Sequence, residues 1–174
     1  MSNDENPIPI DLDLSAQVKA ATDAQDAAAL FELLDPLPQS EALRELLHLS
    51  ADDRDIVLAL VPVELAAQLV DEAPGETAAD LVERLTATRA AEIMDELDSD
   101  VQADLIGDLD NDDAEAILSE MDVEDAADVR RLATYEDDTA GGLMVAEAFS
   151  FADTQTVGKV LRDLASADDD FERY

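Results

Sequence analysis

A short signature returns at a fixed interval through the middle of this chain, and that repetition restricts the fold more than any other feature. Ala79-Asp80-Leu81-Val82 recurs as Ala103-Asp104-Leu105-Ile106 and again as Ala127-Asp128-Val129-Arg130, 24 residues apart each time. In the other phase, Leu69-Val70, Ile93-Met94 and Ile117-Leu118 keep the same interval. A unit of that length holds two helices of about ten residues joined by tight turns. The turn signals agree: Ser50 with Asp52 and Asp53, Pro62 with Glu64, Pro74-Gly75 with Glu76, Ser99 with Asp100, Asn111 with Asp112 and Asp113, and Asp122 with Glu124. These are N-cap residues, or first-turn acids facing the positive end of a helix dipole. Within each unit the apolar residues sit three and four apart, which gives one buried stripe per helix. Helices this short are marginal alone and persist by stacking on neighbours. The expected architecture is all-α, a superhelical stack of short antiparallel helices over residues 14–134.

The flanks read differently. Residues 1–13 carry Pro7, Pro9 and four acids and are expected to form a disordered acidic tail. Leu14 to Ala21 and Ala24 to Leu34 read as two short helices, broken by Asp35-Pro36-Leu37-Pro38 because proline lacks the N–H a helix needs. Ser40 to His48 resumes the helical pattern. Residues 135–145 are a joint that holds the chain's one Gly-Gly pair, Gly141-Gly142. Glycine lets a backbone leave a helix or approach a neighbour closely. Beyond it, Glu147 to Phe151 alternates and reads as a strand. Thr154 to Ala165, with Val157, Val160, Leu161 and Leu164 on one side, reads as an amphipathic helix. One strand and one helix do not make an independent domain, so residues 146–174 are expected to be the first piece of a larger one.

Charge decides which partners are plausible. Asp and Glu number 45 against 10 Lys and Arg, a net charge of −35. Such a surface has no basic patch for phosphates and repels nucleic acid and anionic lipid alike. Two readings of the acidity stand side by side: a solvated surface adapted to high salt, and divalent-cation binding. The chain has no Cys, hence no thiolate chemistry. It shows neither an apolar run long enough to span a bilayer nor a signal peptide, and a soluble, cytoplasmic protein is expected.

Few residues qualify for chemistry. Asp108-Leu109-Asp110-Asn111-Asp112 opens like a calcium loop, but Asp113 stands where that loop needs Gly and Ser119 where it needs Glu. The single His, His48, lies in a Leu-rich helix without a nucleophile motif nearby, and Gly141-Gly142 is followed by no Lys-Ser or Lys-Thr. No enzyme is expected. Asp100 and Asp104 remain: four apart, they share a helix face, where like charges repel unless a cation sits between them. Magnesium suits such a place, since it takes one or two carboxylates and keeps several waters. Asp104 also has repeat mates at Asp80 and Asp128, as a plain solvated position would.

The joint carries a resemblance. Tyr135-Glu136-Asp137-Asp138-Thr139-Ala140-Gly141-Gly142-Leu143-Met144, with Thr156-Val157-Gly158-Lys159-Val160-Leu161, resembles the MgtE family of magnesium transporters. Ile56 to Pro62 and Glu92 to Leu97 are similar to that family more loosely. The resemblance implies a cytosolic N domain, a right-handed superhelix, running into a pair of CBS domains. It implies no catalysis. It implies magnesium ions held between the acidic faces of the N and CBS domains, which close the pore. Asp100, Asp104 and the backbone oxygen of Gly142 are the metal ligands it implies, and Gln68 stands where relatives can carry another acid. The implied partners are the CBS domains and the membrane domain of the transporter, in a homodimer at the cytosolic face of the cell membrane. A different class stays open: a helical scaffold that binds protein alone, similar to the superhelical N-terminal domain of the flagellar motor switch protein FliG.

Overall fold

The computed structural model describes residues 10–135, 139–145 and 154–166. Among them lie eleven helices: α1 (Ile10–Asp23), α2 (Ala27–Leu34), α3 (Gln39–His48), α4 (Ala51–Leu60), α5 (Val63–Asp71), α6 (Gly75–Glu83), α7 (Ala87–Met94), α8 (Ser99–Asp108), α9 (Asn111–Leu118), α10 (Val123–Leu132) and α11 (Val157–Ser166).

From α2 to α10 the helices keep strict time. Their N-caps are Asp26, Pro38, Ser50, Pro62, Pro74, Thr86, Asp98, Asp110 and Asp122, each 12 residues after the last. The 24-residue repeat is therefore two steps of a shorter one, and that shorter step is already present at Asp26. Asp26, Ser50, Thr86 and Asp122 cap by accepting a backbone N–H of the first turn on the side chain. The three prolines have no such acceptor; their fixed φ instead holds the chain extended before the helix begins. Two expected caps move by one residue. Asp98 and Asp110, not Ser99 and Asn111, hold the cap positions of α8 and α9.

The core follows the same register. The fourth, seventh, eighth and eleventh residues after the cap turn inward in most of these helices, as in Ala90, Ile93, Met94 and Leu97, or Ala114, Ile117, Leu118 and Met121; on α10 the eighth is the exposed Arg130. The fourth position is Ala in six of the helices, which lets neighbouring backbones approach. Where a long polar residue takes that place it recovers a helix end: Gln102 Nε2 donates to the Leu97 carbonyl (2.7 Å), and Arg54 Nε donates to the Leu49 carbonyl (3.1 Å). Gln102 thereby satisfies a carbonyl in the turn between α7 and α8, and Arg54 the C-cap carbonyl of α3, each of which lies past the reach of the intrahelical ladder.

Packing runs between helices two apart. One row is α3, α5, α7 and α9, and the other includes α6, α8 and α10. The aliphatic core runs unbroken between the rows from Val18 to Val129. Helix α1 lies outside the register and covers the first end of the stack, against α2, α3 and α4. It begins at Ile10, inside the segment expected to be a disordered tail. Read from composition alone, residues 10–13 look like a tail because Asp11 and Asp13 continue the acidic, Pro-containing start.

Past α10, the expected strand at 147–151 lies outside the described residues, and no strand occurs among the described ones. Helix α11 lies where the amphipathic helix was expected. Val157 and Leu161 on it are 74% and 60% exposed.

Candidate cation-binding face

Helix α8 stands in the middle of its row, packed on α6 at one side and α10 at the other. Asp100 and Asp104 lie on its first two turns, one turn apart. Asp100 is half-buried, and its Oδ1 accepts from the Val101 N–H (3.0 Å); Asp104 is exposed. They are the second and sixth residues after the cap. The helices above and below carry acids at the same two positions, Glu76 and Asp80 on α6, Glu124 and Asp128 on α10. The pair on α8 is thus the central rung of a carboxylate ladder three helices long. On the α10 rung, Asp128 accepts from Arg131 (2.8 Å). All the donors are hard carboxylate oxygens, the kind magnesium takes together with water.

Gly142, the third expected ligand, sits half-buried in a turn over residues 139–144. Its N–H donates to Thr139 Oγ1 (3.3 Å), while the Leu143 N–H donates to the Thr139 carbonyl (3.2 Å) and the Met144 N–H to the Gly141 carbonyl (3.3 Å). Gln68 lines a cleft of about 360 Å³ between α5 and the start of α8, with Glu64, Asp71, Glu96 and Asp98 around it. The position lacking an acid is therefore ringed by four.

One acidic group escaped the sequence reading. Glu83 at the end of α6, Asp110 at the cap of α9 and Asp113 in its first turn bring carboxylate oxygens within 4.8 Å of one another. Two of the three fall in or beside the segment that fails as a calcium loop. Only the register, which sets the end of α6 beside the start of α9, could have joined Glu83 to them.

Charge is crowded elsewhere too. Burial, and then the neighbouring Asp125, Glu96 and Asp122, raise the carboxyl of Asp95 above the usual aspartate range. A hydrogen bond from Ser50, helped by Lys19, lowers Asp53, and Arg130 lowers Glu115. Several of the cations fasten elements together. Arg84, at the end of α6, binds Asp52 (2.9 Å) and Asp55 (2.7 Å) on α4. Arg89 on α7 donates to the carbonyls of Leu58 (3.0 Å) and Val61 (2.6 Å) at the end of α4.

A stack of short capped helices with a file of paired carboxylates along one row defines a class, the acidic helical-repeat domain. Within that class, the chain belongs to the MgtE intracellular N domain family, whose model matches residues 37–138. The first matched residue adjoins Pro38, the first proline cap. Two solved structures are similar along most of the chain. One is the cytosolic domain of the Mg2+ channel MgtE in complex with ATP, with a TM-score of 0.75, 31% identity, and 88% of this chain and 63% of that one covered. The other is the soluble part of a magnesium transporter, with a TM-score of 0.71, 25% identity, and 89% and 61% covered. The chain thus spans less than two thirds of each. No curated protein matches the chain by sequence comparison.

Proposed function

We propose that the chain is the magnesium-sensing cytosolic arm of an MgtE-like transporter or channel, and that it gates transport by magnesium-dependent association with CBS domains. The observation that carries this is the rung on α8. Asp100 and Asp104 sit one turn apart in the middle of a carboxylate ladder, in a chain whose family and structural relatives belong to magnesium transport. In this reading Asp100, Asp104 and the Gly142 carbonyl supply oxygens to magnesium ions at the interface with the CBS domains. The ions keep much of their water. Residues 146–174 begin the first CBS domain, and the open apolar side of α11 is covered by the rest of it. The assembly is a homodimer on the cytosolic face of the membrane.

The energetics are of the right size. Two carboxylates about 4 Å apart across an interface repel by about 4 kcal/mol at an effective dielectric of ~20. Driving a two-state switch from about 1:99 to about 99:1 takes about 5.5 kcal/mol of differential binding. A few interfacial ions supply that when present and remove it when they leave. Proteolytic protection of the transporter's cytosolic part, followed against magnesium at constant ionic strength, tests the reading. Protection is expected with magnesium and not with matched potassium, and Asp100→Asn with Asp104→Asn should weaken it. Equal protection by potassium would instead favour a scaffold that binds protein alone.

A further inference from the structure

Tyr135 is tied to the end of the stack: its N–H donates to the carbonyl of Leu132 at the end of α10 (3.0 Å). Its ring lies against Gly141. A Cβ added at Gly141 would come within 2.5 Å of the ring Cδ1 and Cγ and 3.1 Å of the tyrosine Cβ. Real Cβ atoms do not approach that closely, and the atoms met are the near end of the tyrosine side chain, so the ring yields only by moving off the turn. Gly141 does not have a positive φ. The glycine is therefore required by space and not by backbone conformation. The turn that Tyr135 touches is the one closed by the Thr139–Leu143 and Gly141–Met144 hydrogen bonds, and it carries Gly142. Tyr135 is 45% exposed, so one part of the side chain lies on the turn and the rest is open.

We propose that Tyr135 and Gly141 form a seat that fixes the 139–144 turn against the end of the stack, and so sets where the Gly142 carbonyl is presented. Tyr135 and Gly141 are positioning residues, and their effect on magnesium rests on the sensing function proposed above. The seat itself does not, because it is a contact within this chain.

Two measurements separate the two claims. In the 174-residue chain without magnesium, the Gly141 Hα resonances should carry a ring-current displacement that Tyr135→Phe keeps and Tyr135→Leu abolishes. Gly141→Ala should shift the resonances of Tyr135 and of residues 139–144 in the native background. In a Tyr135→Ala background it should do almost nothing, because the space is then free. A Gly141→Ala effect of equal size in both backgrounds, or Hα resonances indifferent to the ring, overturns the seat. In the full-length transporter, Gly141→Ala should raise the magnesium concentration at half-closure by about tenfold, as loss of a ligand-orienting contact does. Tyr135→Phe should leave that concentration unchanged. A seat confirmed by its resonances together with an unmoved midpoint overturns the positioning role and leaves magnesium sensing intact. A wild-type transporter indifferent to magnesium overturns the sensing function, and the positioning role with it.

Discussion

At the scale of single residues, two carboxylates break the local rules in opposite ways. Glu45 occupies the seventh position after its cap, a place filled in the helices around it by residues such as Val57, Leu69 and Ile93. It is 2% exposed, accepts from Ser15 Oγ on α1, and meets Arg44 Nη2 at 3.4 Å. Ser15→Ala removes the donor to Oε2 of this buried carboxylate while Arg44 keeps Oε1, so one buried acceptor keeps its desolvation cost without its hydrogen bond, whereas an aliphatic side chain at this position carries no such cost. Ser15→Ala should therefore destabilise the chain by about 1–3 kcal/mol. Glu45→Leu should be no less stable than wild type; urea unfolding reads both. Asp95 is the reverse case, an acid whose folded-state carboxyl is raised by burial and by acidic neighbours. Its ionised form opposes folding, so the penalty is complete above its folded pKa and vanishes below the unfolded value. Asp95→Asn should raise the melting temperature at neutral pH. That gain should fade as the pH falls through the raised pKa of the wild-type residue, and the two proteins should then melt together.

At the scale of elements, the 12-residue step governs what can be cut. Removing Pro62 to Leu85, two steps, should leave a shorter stack with its rows intact and a cooperative transition in circular dichroism. Removing Pro62 to Ala73, one step, moves every later helix to the other row. It should abolish cooperative unfolding, because each step also reverses helix direction. Within one helix, Gln102→Ala leaves the Leu97 carbonyl without its side-chain donor. It should cost about 1–3 kcal/mol in urea unfolding. The longer repeat was legible because Ala-Asp-Leu-Val and its variants announce it. The shorter step was not, since its caps are Asp, Pro, Ser and Thr, which end the previous turn by different chemistry at one geometric position. The rung at Asp100 and Asp104 was legible from spacing along a helix. The Glu83, Asp110 and Asp113 group and the Tyr135–Gly141 contact were not, because both depend on where the chain returns in space.

At the scale of the whole molecule, charge and packing are set against each other. Lys19, Arg84 and Arg130 tie neighbouring elements through Asp53, Asp52 and Asp55, and Glu115. That leaves a large excess of acid facing water. Self-repulsion of this kind is long-ranged at low salt and short-ranged at high salt, with a screening length of about 10 Å at 0.1 M and ~3 Å at 1 M. Thermal stability should rise steeply with potassium chloride before it levels off. Magnesium at equal ionic strength should add to it only where ions bind. A melting temperature indifferent to potassium chloride would show that packing alone sets the balance.

From α5 to α10 each helix touches chiefly a helix two places away, so among the described residues the stack is held layer to layer. Small tilts between successive layers then add up with distance, much as play accumulates through the links of a chain. The residues farthest from α1 travel most for the least strain, which makes the end that carries Tyr135 the compliant one.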